Sequence, residues 1–471
     1  MDQKRTFVAA GLLVFLGLGA CGGDDEQQTC VVGAKCTDTT VCEEVEGGQP
    51  TCFAPFLVKG TVFDMVTDKG IAGATVVGLD ANGAARSLVT RSNADGSYAM
   101  SVPIKRTPDG KPLKESITLR VAAAGYQGFP FPPRAALPVD LGTATAEAGS
   151  WFVKNAATDV GLLALPGGAA GLATIQGRVD PAGAGGVLVV ALQGGKAVAT
   201  AVSGSAADTP SGAFILFNVP RGAITLEGYR AGMQITPQSI TVAADLVKDV
   251  VLVSTTGGLG TVSGSVSMVN APGGSVTSVL LVLESTFDEQ AVRGESPAGL
   301  RAGGVSGAFT IDAVPPGKYV VLAAFENDNL VRDPDQTIGG TAIVHVAVPQ
   351  GGGPVSLPEG FKVTGALGVV SPGAEGVERI NTATPTFVWN DDSSEDGYEV
   401  RVYDAFGNKV HENLDVPRVT GSPTVSYTWN GATLQPGMVY QFRALSWRAK
   451  GAGRTSISTT EDLRGVFEYR P

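Results

Sequence analysis

A repeated cassette limits what this chain can fold into. Ser306-Gly307-Ala308-Phe309-Thr310-Ile311-Asp312-Ala313-Val314-Pro315-Pro316-Gly317-Lys318-Tyr319 recurs upstream as Ser211-Gly212-Ala213-Phe214 through Val219-Pro220-Arg221-Gly222. A weaker copy, Asp95-Gly96-Ser97-Tyr98 followed by Val102-Pro103, lies nearer the start. Each copy follows an apolar-x-Gly-x-Val stretch: Val58-Lys59-Gly60-Thr61-Val62, Ile175-Gln176-Gly177-Arg178-Val179 and Val262-Ser263-Gly264-Ser265-Val266. From opening glycine to cassette glycine the separations are 36 (Gly60 to Gly96), 35 (Gly177 to Gly212) and 43 (Gly264 to Gly307). Self-similarity at a near-constant period means one structural unit used three times, with one loop insertion in the third. Phe309, Ile311 and Ala313 alternate with polar residues as a half-buried strand does, and Pro-Pro-Gly breaks the run before Tyr319, so each cassette is predicted to be a β-hairpin.

Composition agrees with an all-β class. The 471 residues include 64 Gly and 28 Pro with only 17% charged side chains, so the chain is divided by turns and offers no helical stripe beyond its N-terminus. The order of opening glycine strand, D/S-G-x-Y/F, V-P-x-G and, in the first copy, Val121 to Ala124-Gly125-Tyr126 resembles the carboxypeptidase regulatory-like domain. That resemblance implies tandem transthyretin-like Greek-key β-sandwiches of seven strands at about 56–165, 172–254 and 259–349, separated by Gly-rich linkers. The second copy closes on Glu227-Gly228-Tyr229 and the third on Ala323-Ala324-Phe325-Glu326-Asn327, both departing from the family pattern. Residues 355–471 carry a different signature, Phe387-Val388-Trp389, then Gly397-Tyr398, then Leu434-Gln435-Pro436 with Tyr440, which resembles fibronectin type III. By that resemblance Trp389 sits in the core and the Tyr440 hydroxyl bonds back to the chain. The stretch Phe361 to Gly365 is expected to add an edge strand to this fourth unit. The linkers are expected to keep the units separable, so that loss of a core ring such as Phe214 or Phe309 stays local.

The N-terminus carries an address. Lys4 and Arg5 precede an apolar run from Phe7 to Ala20, too short to span the roughly 30 Å of a bilayer core but suited to a signal peptide. Leu18-Gly19-Ala20-Cys21 resembles the bacterial lipobox, which implies cleavage after residue 20 and a lipidated Cys21 at the head of a polar tether, 21–29. Gly22 after the cysteine implies the outer membrane, again by resemblance. Gly17 to Gly22 also matches a dinucleotide fingerprint, but without a strand–turn–helix context it carries no cofactor, and none is expected. Cys30, Cys36, Cys42 and Cys52, in a segment (30–55) with few apolar residues, are expected to form two disulfides in an exported chain; three pairings are open. A zinc site would want C-x2-C spacing, which is absent. The module reads as a spacer between tether and first sandwich.

Few residues offer chemistry. Tyr126, Phe129 and Phe131 lie in a Pro-rich tract and either pack beneath their loop or form a platform for sugar rings. Asp391, Asp392 and Asp396 belong to the densest acidic stretch, a weak calcium candidate without EF-hand spacing; solvated charge is the ordinary reading. The two histidines, His345 and His411, fall in different units, His345 on the outer face of a strand. No H-x-x-E-H, G-x-S-x-G or P-loop pattern occurs, and the zinc-binding H-x-x-E of the carboxypeptidases is missing, so no enzyme is expected. A net charge of −11 with no basic run longer than two disfavours nucleic acid. The expectation is a noncatalytic, lipid-anchored envelope protein, acting as a structural or adhesive stalk that binds a polysaccharide or a protein. The alternative is an accessory subunit of a secretion or motility complex. Alkyne-palmitate labelling should tag the wild-type chain and not Cys21→Ala; equal labelling of the two would rule out the lipobox.

Overall fold

A computed structural model describes residues 30–37, 39–147, 149–181, 184–205, 211–255, 257–289, 291–323, 330–332 and 343–471. Apart from three short 3-10 turns, its elements are all strands. Cys21, the tether and most of the third copy's close (324–327) lie outside the described residues.

The repeat has a physical cause. In each unit the opening strand (Leu57–Asp64, Leu172–Asp180, Gly260–Val269) pairs antiparallel with the cassette strand (Ser97–Ser101, Ala213–Pro220, Ala308–Val314). The opening glycine sits opposite the cassette aromatic every time: Gly60 with Tyr98, Gly177 with Phe214, Gly264 with Phe309. A Cβ on Gly177 would lie 2.5 Å from both Phe214 Cζ and the Val250 carbonyl oxygen, and one on Gly264 would lie 2.9 Å from Phe309 Cζ. The ring occupies the space that any other residue would fill, as aromatic side chains do over strand glycines. On its other side each opening strand takes parallel partners: Ser150–Val153 and Val160–Leu162, then Leu246–Thr255, then Gly353–Ser356 and Phe361–Gly365. Facing layers pair Thr75–Leu79 with Ser116–Ala122, Leu188–Gln193 with Gly222–Arg230, and Thr277–Leu283 with Gly317–Ala323. In the second unit Met233–Ile235 pairs with strands of both layers, joining eight strands into one bent sheet.

Two strand assignments read from the sequence need correction. The cassettes are not hairpins: Ala308–Val314 belongs to one sheet and Gly317–Ala323 to the other, so Pro315-Pro316 is a corner between layers. Two prolines offer no amide hydrogen to close a hairpin ladder, and the Tyr319 hydroxyl instead donates to the Pro315 carbonyl at 2.7 Å, fastening the corner. Second, Phe361–Gly365 belongs to the third sandwich, lying between Gly260–Val269 and Leu330–Arg332, so the fourth unit begins after it.

The fourth unit sets Val369–Ser371, Thr386–Asn390 and Thr424–Thr428 against a six-stranded sheet centred on Val439–Lys450 and Gly397–Asp404. Its core stacks Phe387 on Phe442 at 4.7 Å with Trp389 and Tyr398 beside them, all fully buried. The Tyr440 hydroxyl accepts the Gln435 amide at 2.9 Å, bonding back to the chain.

The linkers do not hold the units apart. Asn218, at a positive-φ bulge just after the second cassette's Phe214, accepts from the Gly125 amide at 2.7 Å and donates to the Ala123 and Tyr126 carbonyls of the first unit. Ala313, the same bulge in the third cassette, receives the Gly232 amide of the second unit at 2.8 Å. Arg120, Thr200 and Glu295, from three units, meet in one network. The fourth unit closes on the first: Arg134 donates to the Phe406 and Gly161 carbonyls, Asp140 accepts the Val377 amide, and Ala405, Val439 and Val466 are buried in the first unit's core. It also reaches the third through Arg293 and Asp462. The Cys-rich module is likewise docked rather than a spacer: Thr40–Val45 pairs with Lys105–Arg106, and the buried Arg106 guanidinium joins Glu43, sits 4.8 Å over the Phe53 ring and donates to the Ala54 carbonyl.

Phe309 packs in one cluster with Leu188, Val190 and Tyr229 of the second unit. Phe309→Ala, at a cost of about 3–5 kcal/mol, should therefore move the unfolding of the second and third units together in a calorimetric scan; a shift confined to a single unit's transition would show that the shared core is not cooperative.

Candidate functional site

The docking of the second and third sandwiches leaves a cleft of about 670 Å³, within the size range of ligand pockets. One wall comes from the second unit: Lys196 at the start of an edge strand, Glu227 and Tyr229 on Gly222–Arg230, and Gln234 on the short strand that bends the sheet. The other comes from the third: Pro315, Pro316, Gly317 and Lys318 of the cassette corner, with Glu284 and Phe287 bracketing a 3-10 turn, and Gln350 from the following linker.

Close packing of rings fixes this geometry. Tyr229 and Tyr319 meet edge to face at 6.1 Å, and a Cβ on Gly317 would lie 2.9 Å from Tyr229 Cε1, so the corner glycine lets the second unit's ring approach. The Tyr229 hydroxyl donates to Glu227 Oε2 at 2.5 Å, pinning that carboxylate at the cleft wall. On the opposite side Glu284 Oε1 stands 3.5 Å from the exposed His345 ring. Glu227, Glu284, Lys196 and Lys318 sum to no net charge, while Gln234 and Gln350 add amide donors and acceptors. The site is therefore hydrogen-bonding but electrostatically balanced, with Leu192, Ile235, Phe287 and the prolines among its apolar surface.

The residues singled out in the sequence do not converge on this cleft. Cys30 bonds to Cys42 and Cys36 to Cys52. Tyr126, Phe129 and Phe131 do not form one surface: Phe129 is buried under the Arg134 guanidinium, Tyr126 is half-buried against the first unit's core, and Phe131 alone is exposed. Asp392 accepts from the Ser394 amide and the Ser446 hydroxyl, Asp391 from Tyr398, and Asp396 from the Ala449 amide. Among the described residues, the only three potential metal ligands with atoms within 4.8 Å of one another are Cys30, Cys36 and Cys52, all in disulfides. His411 bonds the Tyr427 hydroxyl at 2.6 Å in the fourth unit, and burial lowers its pKa. The cleft residues escaped sequence reasoning because two units supply them. The Pro315-Pro316-Gly317 corner was the visible signal.

No family model matches the chain, and no curated protein matches it. Solved structures similar to it include the Bacillus anthracis TIE protein, 10% identical over 88% of this chain and 72% of that one, with a TM-score of 0.15. The shaft pilin SpaA from Lactobacillus rhamnosus GG is 12% identical over 42% of this chain and 97% of its own, with a TM-score of 0.16. A Streptococcal ancillary pilin is 10% identical over 64% and 98%, with a TM-score of 0.15.

Burial, and next the Glu227 charge, raise the pKa of both Tyr229 and Tyr319. The unfolded chain loses these phenolic protons first, near pH 10, so the stability they supply is complete below about pH 10 and falls as pH rises beyond it. Ultraviolet titration should show both rings still protonated at about pH 11; ionisation at the ordinary value would mean the cleft wall is open to water.

Proposed function

We propose that the chain is a noncatalytic, lipid-anchored protein of the bacterial cell envelope whose packed sandwiches form a structural and adhesive head, with the cleft between the second and third sandwiches taking a carbohydrate. The cleft carries this reading. Sugars present many uncharged hydroxyls, which carboxylates and amides bind in pairs, and a site of balanced charge does not reject a neutral ligand. Glu227, Glu284, Gln234 and Gln350 supply such groups, and Phe287 supplies an aromatic side chain. The balanced lining disfavours a strongly charged ligand, and the overall charge of −11 opposes nucleic acid. The lipobox at Cys21 and its following Gly22 support attachment at the outer membrane.

The test is an array of immobilised polysaccharides. Wild-type protein should be retained by a subset of them, and Glu284→Ala and Lys318→Ala should lose at least about tenfold in affinity, each side chain supplying about 1.4 kcal/mol or more, with unchanged unfolding midpoints. No retained glycan, or equal retention of both variants, would refute the assignment.

A further inference from the structure

The charges of the cleft cancel in sum, but they are not engaged alike. Each wall carries one acid and one base: Lys196 and Glu227 from the second unit, Glu284 and Lys318 from the third. Both acids already face another group. Glu227 Oε2 receives the Tyr229 hydroxyl at 2.5 Å, and Glu284 Oε1 stands 3.5 Å from His345 Nδ1. Among the described residues, neither lysine ammonium makes a hydrogen bond or an ion pair. The strands explain why. Lys196 pairs with Gln193 and Glu227 with Val190, on opposite sides of Leu188–Gln193, so two strand spacings, roughly 10 Å, separate them laterally. On the other wall Leu283 pairs with Tyr319, and the residues adjoining that pair are Glu284 and Lys318; Glu284 turns to His345 and leaves Lys318 free.

We propose, resting on the carbohydrate assignment of this cleft, that its ligand is an acidic saccharide whose sugar ring carries a carboxylate, with Lys196 and Lys318 as the groups that bind it. A neutral sugar supplies hydroxyls for the two acids and the two glutamines, but to an ammonium it offers little that water does not. A carboxylate does offer more, because a hydrogen bond between two charged groups is about twice as strong as a neutral one. The compact lysine head also takes a carboxylate without the planar match that arginine demands. Glu227 and Glu284, which only accept, are left for the hydroxyls. One carboxylate among several hydroxyls therefore suits both halves of the lining, whereas a densely charged anion would meet the two glutamates.

The full chain, purified in detergent, is titrated calorimetrically with oligosaccharides containing glucuronate, galacturonate or mannuronate. Each is matched by its carboxyl-reduced counterpart, in which a hydroxymethyl group replaces the carboxylate. At least one acidic member should bind at least about tenfold more tightly than its counterpart, and added salt should shrink that advantage. Lys196→Met and Lys318→Met keep the aliphatic stem and remove the charge; each should abolish most of the advantage while leaving the reduced counterpart's affinity unchanged. Both lysines are exposed, so the unfolding midpoint should not move. Equal binding of acidic and reduced members overturns this assignment and leaves the carbohydrate assignment standing. An advantage undiminished in either variant also overturns it, as does an equal loss for the reduced counterpart, because the lysines would then only shape the cleft. If nothing in this set binds, retention of a neutral glycan on the polysaccharide array overturns the acidic ligand alone, and retention of none overturns both.

Discussion

The structure depends on an aromatic ring laid across a strand glycine. In each of the three repeats a cassette Tyr or Phe covers the glycine directly opposite on the opening strand, so neither residue can change alone. A side chain on the glycine would collide with the ring or with backbone, and a smaller cassette residue would leave a hole over bare backbone. This pairing sets the register of the opening and cassette strands, and a one-residue slip would send the ring to the opposite face. The rest of each sandwich is built outward from that fixed pair.

Units joined by flexible glycine linkers become one body because the cassette also supplies the joint. The chain completes the ring-bearing strand with a bulge at Asn218 or Ala313, whose left-handed backbone directs polar groups outward. The preceding unit places the amide of a glycine turn, Gly125 or Gly232, against that bulge. The same local distortion thus ends one strand and receives the neighbouring domain. Arg134 does comparable work at the closure, with its head on two carbonyls and its plane over Phe129. Inter-domain hydrogen bonds of this kind, combined with the shared core around Tyr229 and Phe309, oppose the relative motion that long linkers would otherwise permit.

Much of this was legible as pattern and less as geometry. Spacing alone found the three units, and alternation found their strands, because burial on one face imposes a period of two. The cysteines announced bridges without announcing partners. The Pro315-Pro316-Gly317 turn misled because turn chemistry records that the chain reverses, not which sheet it enters next. Phe361–Gly365 misled in the other direction: a short apolar run reads the same in any unit, and its parallel partner Val266–Val269 lies far back in the chain. Phe129 and Phe131, two residues apart, have opposite environments because Arg134 folds over only one of them. Nothing local to Glu227 or Glu284 marks either as part of a cleft, since the cleft exists only once two units have docked.

The parallel strands that close each repeat bear on how the molecule is made. Gly260 cannot complete its sheet until Gly353 has emerged and folded back beside it, and Val266 must wait for Phe361. Such pairings carry a large loop-closure entropy before any contact repays it, which places the barrier late and makes folding slow. The order of events is therefore hierarchical: the glycine and aromatic pair forms within one repeat, while the cleft, which needs two repeats folded and docked, is among the final features to appear.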